Sequence, residues 1–274
     1  MNNKSILVTG CSTGIGLCLA VGLQKRGYKI FATARKDEDM NKLKDLGLNA
    51  LYLDYADSNS IKKAFNELLS STNNLYAVIH NGAYGQVGAL ADINRNTLKK
   101  QFETNVFGWH ELTYLALPIM RKQGFGRIVY ISSVLGFVAM PHRGPYNASK
   151  YAIEGLVDTL RLEHSDTNIQ FSLIEPGPIR SNFRKNAYKA FKENVDITNS
   201  FYKKSYKIMV KRLNSNTETN FTLGPEAVLK ASIHAIESKK AKIRYRITFP
   251  TKLFAVLKRI LSSKLLDKVL AKIS

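Results

Sequence analysis

Lys4-Ser5-Ile6-Leu7-Val8-Thr9-Gly10-Cys11-Ser12-Thr13-Gly14-Ile15-Gly16 joins an apolar run, a glycine-rich turn and the start of a helix. Lys4–Thr9 predicts a buried strand, and a helix follows from Ile15 to Arg26 with Gly27 as its stop. Glycines between a strand and a helix let backbone approach a pyrophosphate, and the helix N-terminus adds positive potential. The turn therefore nominates Thr9, Gly10, Ser12, Thr13, Gly14, Ile15 and Gly16 as dinucleotide contacts. The alternative is a tight turn that holds no ligand.

The next strand, Tyr28–Thr33, ends in Ala34-Arg35-Lys36. An acid at this point would bind the ribose 2′-hydroxyl of NAD, whereas Arg35 and Lys36 would attract a 2′-phosphate, which favours NADP. A solvated basic turn balanced by Asp37, Glu38 and Asp39 is the bland reading. A helix near Met40–Leu46 leads to the strand Ala50–Leu53. Asp54 then either accepts from the adenine amino group or helps to start the helix Asp57–Ser70. The strand Leu75–Ile79 delivers His80-Asn81-Gly82-Ala83-Tyr84-Gly85, a second turn of small residues, with His80 read as a structural group. Thr97–Met120 reads as one long or two consecutive helices around Asn105, whose amide bonds a kinked backbone or holds a water. Gly126–Ser132 and Asn168–Ile174 are further strands, the second closed by Glu175-Pro176-Gly177-Pro178; Ala241–Thr248 reads as a seventh. Strands alternating with helices at this spacing predict a single α/β domain with a Rossmann-type, doubly wound parallel sheet of seven strands. Gly10, Arg35, Asp54, Asn81, Ser133 and Pro176 all fall at strand carboxyl ends, where such sheets bind ligands.

Ser133 precedes Tyr146 and Lys150, which are four apart after a Gly-Pro pair that opens a helix, so both side chains share one face. A tyrosine hydroxyl, with a pKa of about 10, is a poor acid at neutral pH. An ammonium about 4 Å away is worth roughly 4 kcal/mol at an effective dielectric of ~20, or about three pKa units. That would make Tyr146 a useful general acid–base group, with Ser133 bonding the same substrate oxygen.

The 274 residues suit one large domain, and 45% apolar content suits a globular protein. Two cysteines, Cys11 and Cys18, both near the start, point to a reducing cytoplasm. Ile6-Leu7-Val8 is too short for the core of a signal peptide, and no run approaches a membrane span. The net charge of +20 is concentrated late: residues 180–213 hold ten Lys/Arg against two acids, and 239–274 hold eleven against one. Residues 181–213, with Phe183, Tyr188, Phe191, Phe201, Tyr202 and Tyr206 among the lysines, read as a lid of short helices over a pocket.

In this order the motifs resemble the short-chain dehydrogenase/reductase family over essentially the whole chain. Thr9–Gly16 matches its Thr-Gly-x-x-x-Gly-x-Gly turn; Ser133, Tyr146 and Lys150 match its triad, the tyrosine standing thirteen positions after the serine. Asn105 matches a fourth catalytic residue, and Pro176-Gly177, with Ile179 beyond, its nicotinamide-side turn. The family's Asn-Asn-Ala-Gly turn stands here as His80-Asn81-Gly82-Ala83; Asn81, Gly82 and Ala83 would keep the cofactor contact. Segments 172–180 and 221–228 and the basic C-terminal helix look like a bacterial NADP-dependent aldehyde reductase subgroup near the retinol and 17-beta-hydroxysteroid dehydrogenases. The resemblance implies that Tyr146 exchanges the proton and Ser133 polarises the carbonyl. Lys150 would lower the tyrosine pKa and hold the nicotinamide ribose, and Asn105 would anchor a water. Family members are commonly dimers or tetramers.

The expected pocket lining is Tyr84, Val87, Leu135, Phe137, Met140, His142 and Phe183, mostly apolar, so the expected substrate is a lipophilic aldehyde or ketone. His142, Arg143 and the basic lid hint at a substrate carboxylate or phosphate; solvated surface lysines are the alternative. In the tail 251–274, set apart from the 1–250 domain, Leu253, Leu257, Ile260, Leu261, Leu265, Val269 and Ile273 recur at helical spacing between lysines. That helix covers the pocket, forms a subunit interface or attaches to a membrane surface from the cytoplasmic side. The rival functions are a membrane-associated retinol- or steroid-type dehydrogenase and a non-catalytic NADP-binding sensor. The charge alone predicts weak, salt-sensitive association with nucleic acid but no specific site, and no metal site is expected.

Overall fold

Alternate residues of β1 (Ser5–Val8) face opposite ways: Ile6 and Val8 join one apolar core and Leu7 the other. The same period of two sorts β4 and β5, where Ala77, Ile79, Val129 and Ile131 join Ile6 while Val78, Ile128 and Tyr130 join Leu7. A sheet with both faces apolar needs helices on both, and in this computed structural model it has them. The structure describes residues 4–215 and 220–273. Residues 1–3 and 216–219 of the expected 1–250 unit, and the Ile273 side chain and Ser274 of the 251–274 unit, lie outside the described residues.

In chain order β1 is followed by α1 (Gly14–Gln24), β2 (Lys29–Ala34), α2 (Asp37–Asp45), β3 (Asn49–Tyr52), α3 (Ser58–Ser71) and β4 (Leu75–His80). Then come α4 (Arg95–Phe102), α5 (Gly108–Gln123), β5 (Gly126–Ile131), α6 (Gly144–Glu163) and β6 (Ile169–Glu175). The chain continues through α7 (Phe183–Asn194), α8 (Lys203–Asn214), α9 (Glu226–Glu237), β7 (Arg244–Arg246), α10 (Phe249–Ile260) and α11 (Ser263–Ile273). All six strand pairings are parallel, in the order β3-β2-β1-β4-β5-β6-β7. The fold is the Rossmann-type sheet that the sequence pattern predicts. Helices α1, α2 and α9 cover the Ile6 face, and α3, α5 and α6 cover the Leu7 face.

The order reverses between β1 and β4, so their exits part and leave a crevice at the carboxyl edge. β5 and β6 pair over six residues, from Gly126–Ile169 to Ile131–Ile174, which aligns the loops beyond them: the Val134 amide donates to the Pro176 carbonyl at 2.9 Å.

Three elements differ from their sequence reading. β7 spans three residues instead of Ala241–Thr248, and its two arginines bind charge: Arg244 meets Glu154 and Glu175 at 3.1 Å, and Arg246 meets Glu175 at 3.2 Å. The region of Asn105 is a wide π-turn, Glu103–Phe107, between α4 and α5. The basic tail is two helices and not one, because the backbone leaves helical geometry at Leu261 and Ser262 starts a new turn that accepts from Leu265 and Leu266. The α10 helix also begins at Phe249, so residues 249 and 250 belong with the tail.

Candidate active site

The floor is the crossing of two turns. Gly10 has φ +68°, and a Cβ there would stand 2.5 Å from the Cα of Gly82. On Gly16 it would stand 2.1 Å from the Gly10 carbonyl oxygen. Both positions need hydrogen for a side chain. Thr9 Oγ1 receives the amides of Asn81 and Gly82 at 2.9 and 3.1 Å, and Asn81 Nδ2 donates to the carbonyls of Thr9 and Gly10 at 3.0 and 3.1 Å. Above this seam α1 starts without a side-chain cap: Thr13 makes none, and no acid stands in the first turn. Amides without helical partners, uncapped and unopposed by negative charge, fit the pyrophosphate of a dinucleotide. Ser12 and Ile15 are partly buried at this terminus, whereas Thr13 and Ala83 are exposed.

At the far end of the crevice Arg35 and Asp54, nominated separately, form an ion pair at 3.5 Å. Asp54 Oδ1 also receives the Ala56 amide, so this carboxylate shapes its own turn as well. Lys36 is the exposed residue that precedes α2.

Ser133, Tyr146 and Lys150 come together beyond β5. Ser133 stands close enough to Tyr146 to pull its pKa down, and Ser133 Oγ receives the Leu135 amide at 3.1 Å. Lys150 Nζ donates to the Ile131 carbonyl at 2.7 Å, lies 4.3 Å from the Trp109 ring centroid and 5.7 Å from that of Tyr146. The electrostatics correct one expectation. Burial pushes Tyr146 up to about 12, against smaller opposite pulls from Ser133 and Arg143. Burial also pushes Lys150 down to about 7, although the nearby Glu154 favours its charge. The lowering of Tyr146 by Lys150 is absent because the ammonium is tied to β5 and the indole, away from the phenol.

Asn105 bonds backbone and a serine. Its Oδ1 receives the Tyr84 amide at 3.2 Å, and its Nδ2 donates to the Tyr84 carbonyl at 2.9 Å and to Ser149 Oγ at 3.2 Å. Ser149 donates in turn to the Tyr146 carbonyl at 2.8 Å. The amide thus ties the loop after β4 to the first turn of α6, the first of the two readings left open for it.

His80 is structural, as expected. Nδ1 lies 2.7 Å from the Tyr55 hydroxyl, Nε2 lies 3.0 Å from Thr113 Oγ1, and the ring stacks on Tyr130 at 4.6 Å. Burial, with Lys150 adding to it, pushes its pKa down to about 3, so it stays neutral.

The pocket candidates divide between two covers. Phe183, at the start of α7, places its ring 5.1 Å from that of Tyr146. Val87 packs with Phe191 and Tyr206 under the α7–α8 lid, and His142 meets Tyr202 and Tyr206 edge-on at 5.9 and 5.7 Å. Leu135, Phe137 and Met140 instead join Tyr146 in a cluster with Phe254, Leu257, Leu266, Val269 and Leu270 of the tail. Lys258 clasps the Phe137 carbonyl at 2.5 Å. Buried Thr248 and Thr251, where the tail begins, sit against Gly177. Ile179 forms a parallel bridge with Leu223. The tail therefore packs on the loop between β5 and α6.

Sequence reasoning missed Trp109. This tryptophan, the only one in the chain, supports Lys150 with its face and donates from Nε1 to the Gly82 carbonyl at 2.8 Å, joining the two halves of the site. Its position four residues after Asn105 was the available signal.

A family model described as short chain dehydrogenase matches residues 4–191. The chain is 41% identical over 268 residues to the uncharacterized oxidoreductase YbbO of Escherichia coli strain K12, covering 97% of this chain and 94% of that protein. It is 33% identical over 214 residues to a 3-ketodihydrosphingosine reductase of Bacteroides thetaiotaomicron, covering 77% of each. A solved short-chain dehydrogenase from Streptomyces avermitilis has a TM-score of 0.78 at 27% identity, over 99% of this chain and 94% of that one.

Proposed function

This chain belongs to the short-chain dehydrogenase/reductase family, and we propose that it is an NADP(H)-dependent oxidoreductase interconverting a lipophilic aldehyde or ketone and its alcohol. The nicotinamide dinucleotide bound by this family supplies or accepts the hydride. The observation that carries the reading is the meeting of Ser133, Tyr146 and Lys150 at the sheet edge that also holds the glycine seam. Tyr146, held protonated at neutral pH by burial, gives its proton to the carbonyl oxygen, and Ser133 orients that oxygen. Lys150, held by the Ile131 carbonyl and the face of Trp109, is placed to bind the nicotinamide ribose. Asn105 is a positioning residue that fixes the turn carrying Tyr146.

Arg35 supports NADP. Its guanidinium is 64% exposed and no acid occupies its place at the end of β2. The apolar surroundings of Tyr146 support a lipophilic substrate, as does the name of the Bacteroides relative. NADPH oxidation against a panel of aldehydes, ketones and steroids, repeated with NADH, tests the reading. We expect NADPH-dependent reduction of lipophilic carbonyls that falls by about 10²–10⁴-fold in Tyr146→Phe. A Tyr146→Phe protein with its full rate overturns the mechanism, and a preference for NADH overturns the cofactor.

The tail favours a second reading, a retinol- or steroid-type enzyme resting on the cytoplasmic face of an anionic membrane. Val256 and Ile260 of α10 are 52% and 73% exposed among Lys252, Lys258 and Arg259. Among the described residues no helix is long and apolar enough to cross a membrane. The intact protein should pellet with anionic liposomes at low salt and lose this on deletion of 251–274; failure to pellet removes the reading.

A further inference from the structure

Arg143 stands one helical turn before Tyr146, and its electrostatic surroundings are anomalous. Burial first, and then the like charges of Arg212 and Arg184, push it down to about 10. Among the described residues no carboxylate pairs with it, and its one described side-chain hydrogen bond runs from Nη1 to the thioether of Met140 at 3.1 Å. The acid in this region, Asp92, is already engaged by the hydroxyls of Ser200 and Tyr206. Arg143 is half-buried, and a half-buried guanidinium beside like charges and without a carboxylate of its own favours an arriving anion.

The backbone shows that this placement is imposed. His142, just before Arg143, has φ +58°, a left-handed conformation that side chains other than glycine rarely adopt. The Gly88 amide holds it there through the His142 carbonyl at 2.8 Å, and Gly88 bridges Arg143 as a short parallel pair. The turn thus presents Arg143 beside Tyr146, which feels its charge. From the other side Arg184 follows directly on Phe183, whose ring covers Tyr146.

We propose that Arg143, reinforced by the charges of Arg184 and Arg212 on the lid, is a specificity-determining anion subsite, so that the carbonyl substrate carries a carboxylate or phosphate close to its reacting carbon. The inference rests on the carbonyl-reductase reading and adds the substrate class to it. A guanidinium suits either oxyanion because its planar fork matches two oxygens at once. The lipophilic part of the substrate then lies against Phe183, Leu135 and Phe137, while the anion fixes which end enters.

Matched substrates of equal chain length test this: a neutral aldehyde, the same chain with a carboxylate, and the same chain with a phosphate ester. In the unmodified protein kcat/KM with NADPH should favour one or both anionic members by about tenfold or more, and the pattern separates carboxylate from phosphate. In Arg143→Met the anionic-to-neutral ratio should collapse to near one, mainly through KM, and Arg143→Lys should restore part of it. A merely structural role would lower all substrates together and leave the ratio intact, which would overturn the proposal. So would equal use of neutral and anionic substrates by the unmodified protein. Calorimetric titration with decanoate and decyl phosphate against decanol separates the two layers of the argument. Arg143-dependent binding of the anions without turnover of any carbonyl would sink the reductase reading and keep the subsite. Turnover of neutral aldehydes with no anion preference would do the reverse.

Discussion

The glycine seam and the lid-and-tail cover are built on opposite principles. At the seam, backbone meets backbone: Gly10 against Gly82, Gly16 against the Gly10 carbonyl, with Thr9 and Asn81 stitching the turns together. At the cover, side chains meet side chains: Tyr206 of α8 against Phe191 of α7, Phe183 over Tyr146, Phe254 and Leu270 on the loop after β5, with bare flanks such as Phe201 and Ile208. The difference teaches where change is tolerated. A seam made of main chain admits one geometry, whereas a cover made of side chains can be refitted to another substrate without moving the sheet.

The sharpest way to break this contrast is Gly16→Ala. The added methyl collides with backbone on a central turn, so we expect a loss of about 3 kcal/mol or more in global stability, read by denaturant titration. A loss under 1 kcal/mol would mean that the seam yields after all. Lys150, which lies between the two regions, offers a pH test. Its folded pKa of about 7 is below its unfolded value near 10.5, so from about pH 7 upward the unfolded chain binds more protons. Stability should therefore rise with pH above 7 by up to about 1.4 kcal/mol per unit, relative to Lys150→Met. Matching pH profiles for the two proteins would contradict the burial argument.

At the seam's outer rim, Arg35→Leu should weaken NADPH binding by about tenfold and leave NADH within about twofold, measured by nicotinamide fluorescence. An equal effect on both cofactors would remove Arg35 from 2′-phosphate recognition. The smallest effect belongs to the cover. Tyr206→Phe removes the hydroxyl shared by Asp92 and the Ala89 amide, costing about 1 kcal/mol. It should appear as faster hydrogen exchange at Ala89 and along α8, with no change in β1. Uniform acceleration would show that lid and sheet unfold together.

The contrast also explains what the sequence could show. Ile6, Leu7 and Val8, the glycine turn and the Ser133–Tyr146–Lys150 spacing are local patterns, and local patterns specify strands, turns and helix faces directly. The anchoring of Lys150 to Ile131, nineteen residues away, and the meeting of Arg35 with Asp54 depend on where different strands end. Asn105 stayed open because a π-turn adds one residue per turn and shifts which neighbours its amide meets. The tail's apolar spacing runs on through Leu261 and Leu265, so periodicity did not mark the break that Ser262 makes.

The Gly10–Gly82 approach has a consequence for how this molecule can diverge. Gly82 occupies the room that a side chain on Gly10 would need, whereas a methyl on Gly82 would meet Gly10 and Tyr55 at 3.3 Å, tight but without overlap. Across seventy-two residues of chain the seam is therefore lopsided, and a library that varies both positions will keep glycine at Gly10 while admitting alanine at Gly82.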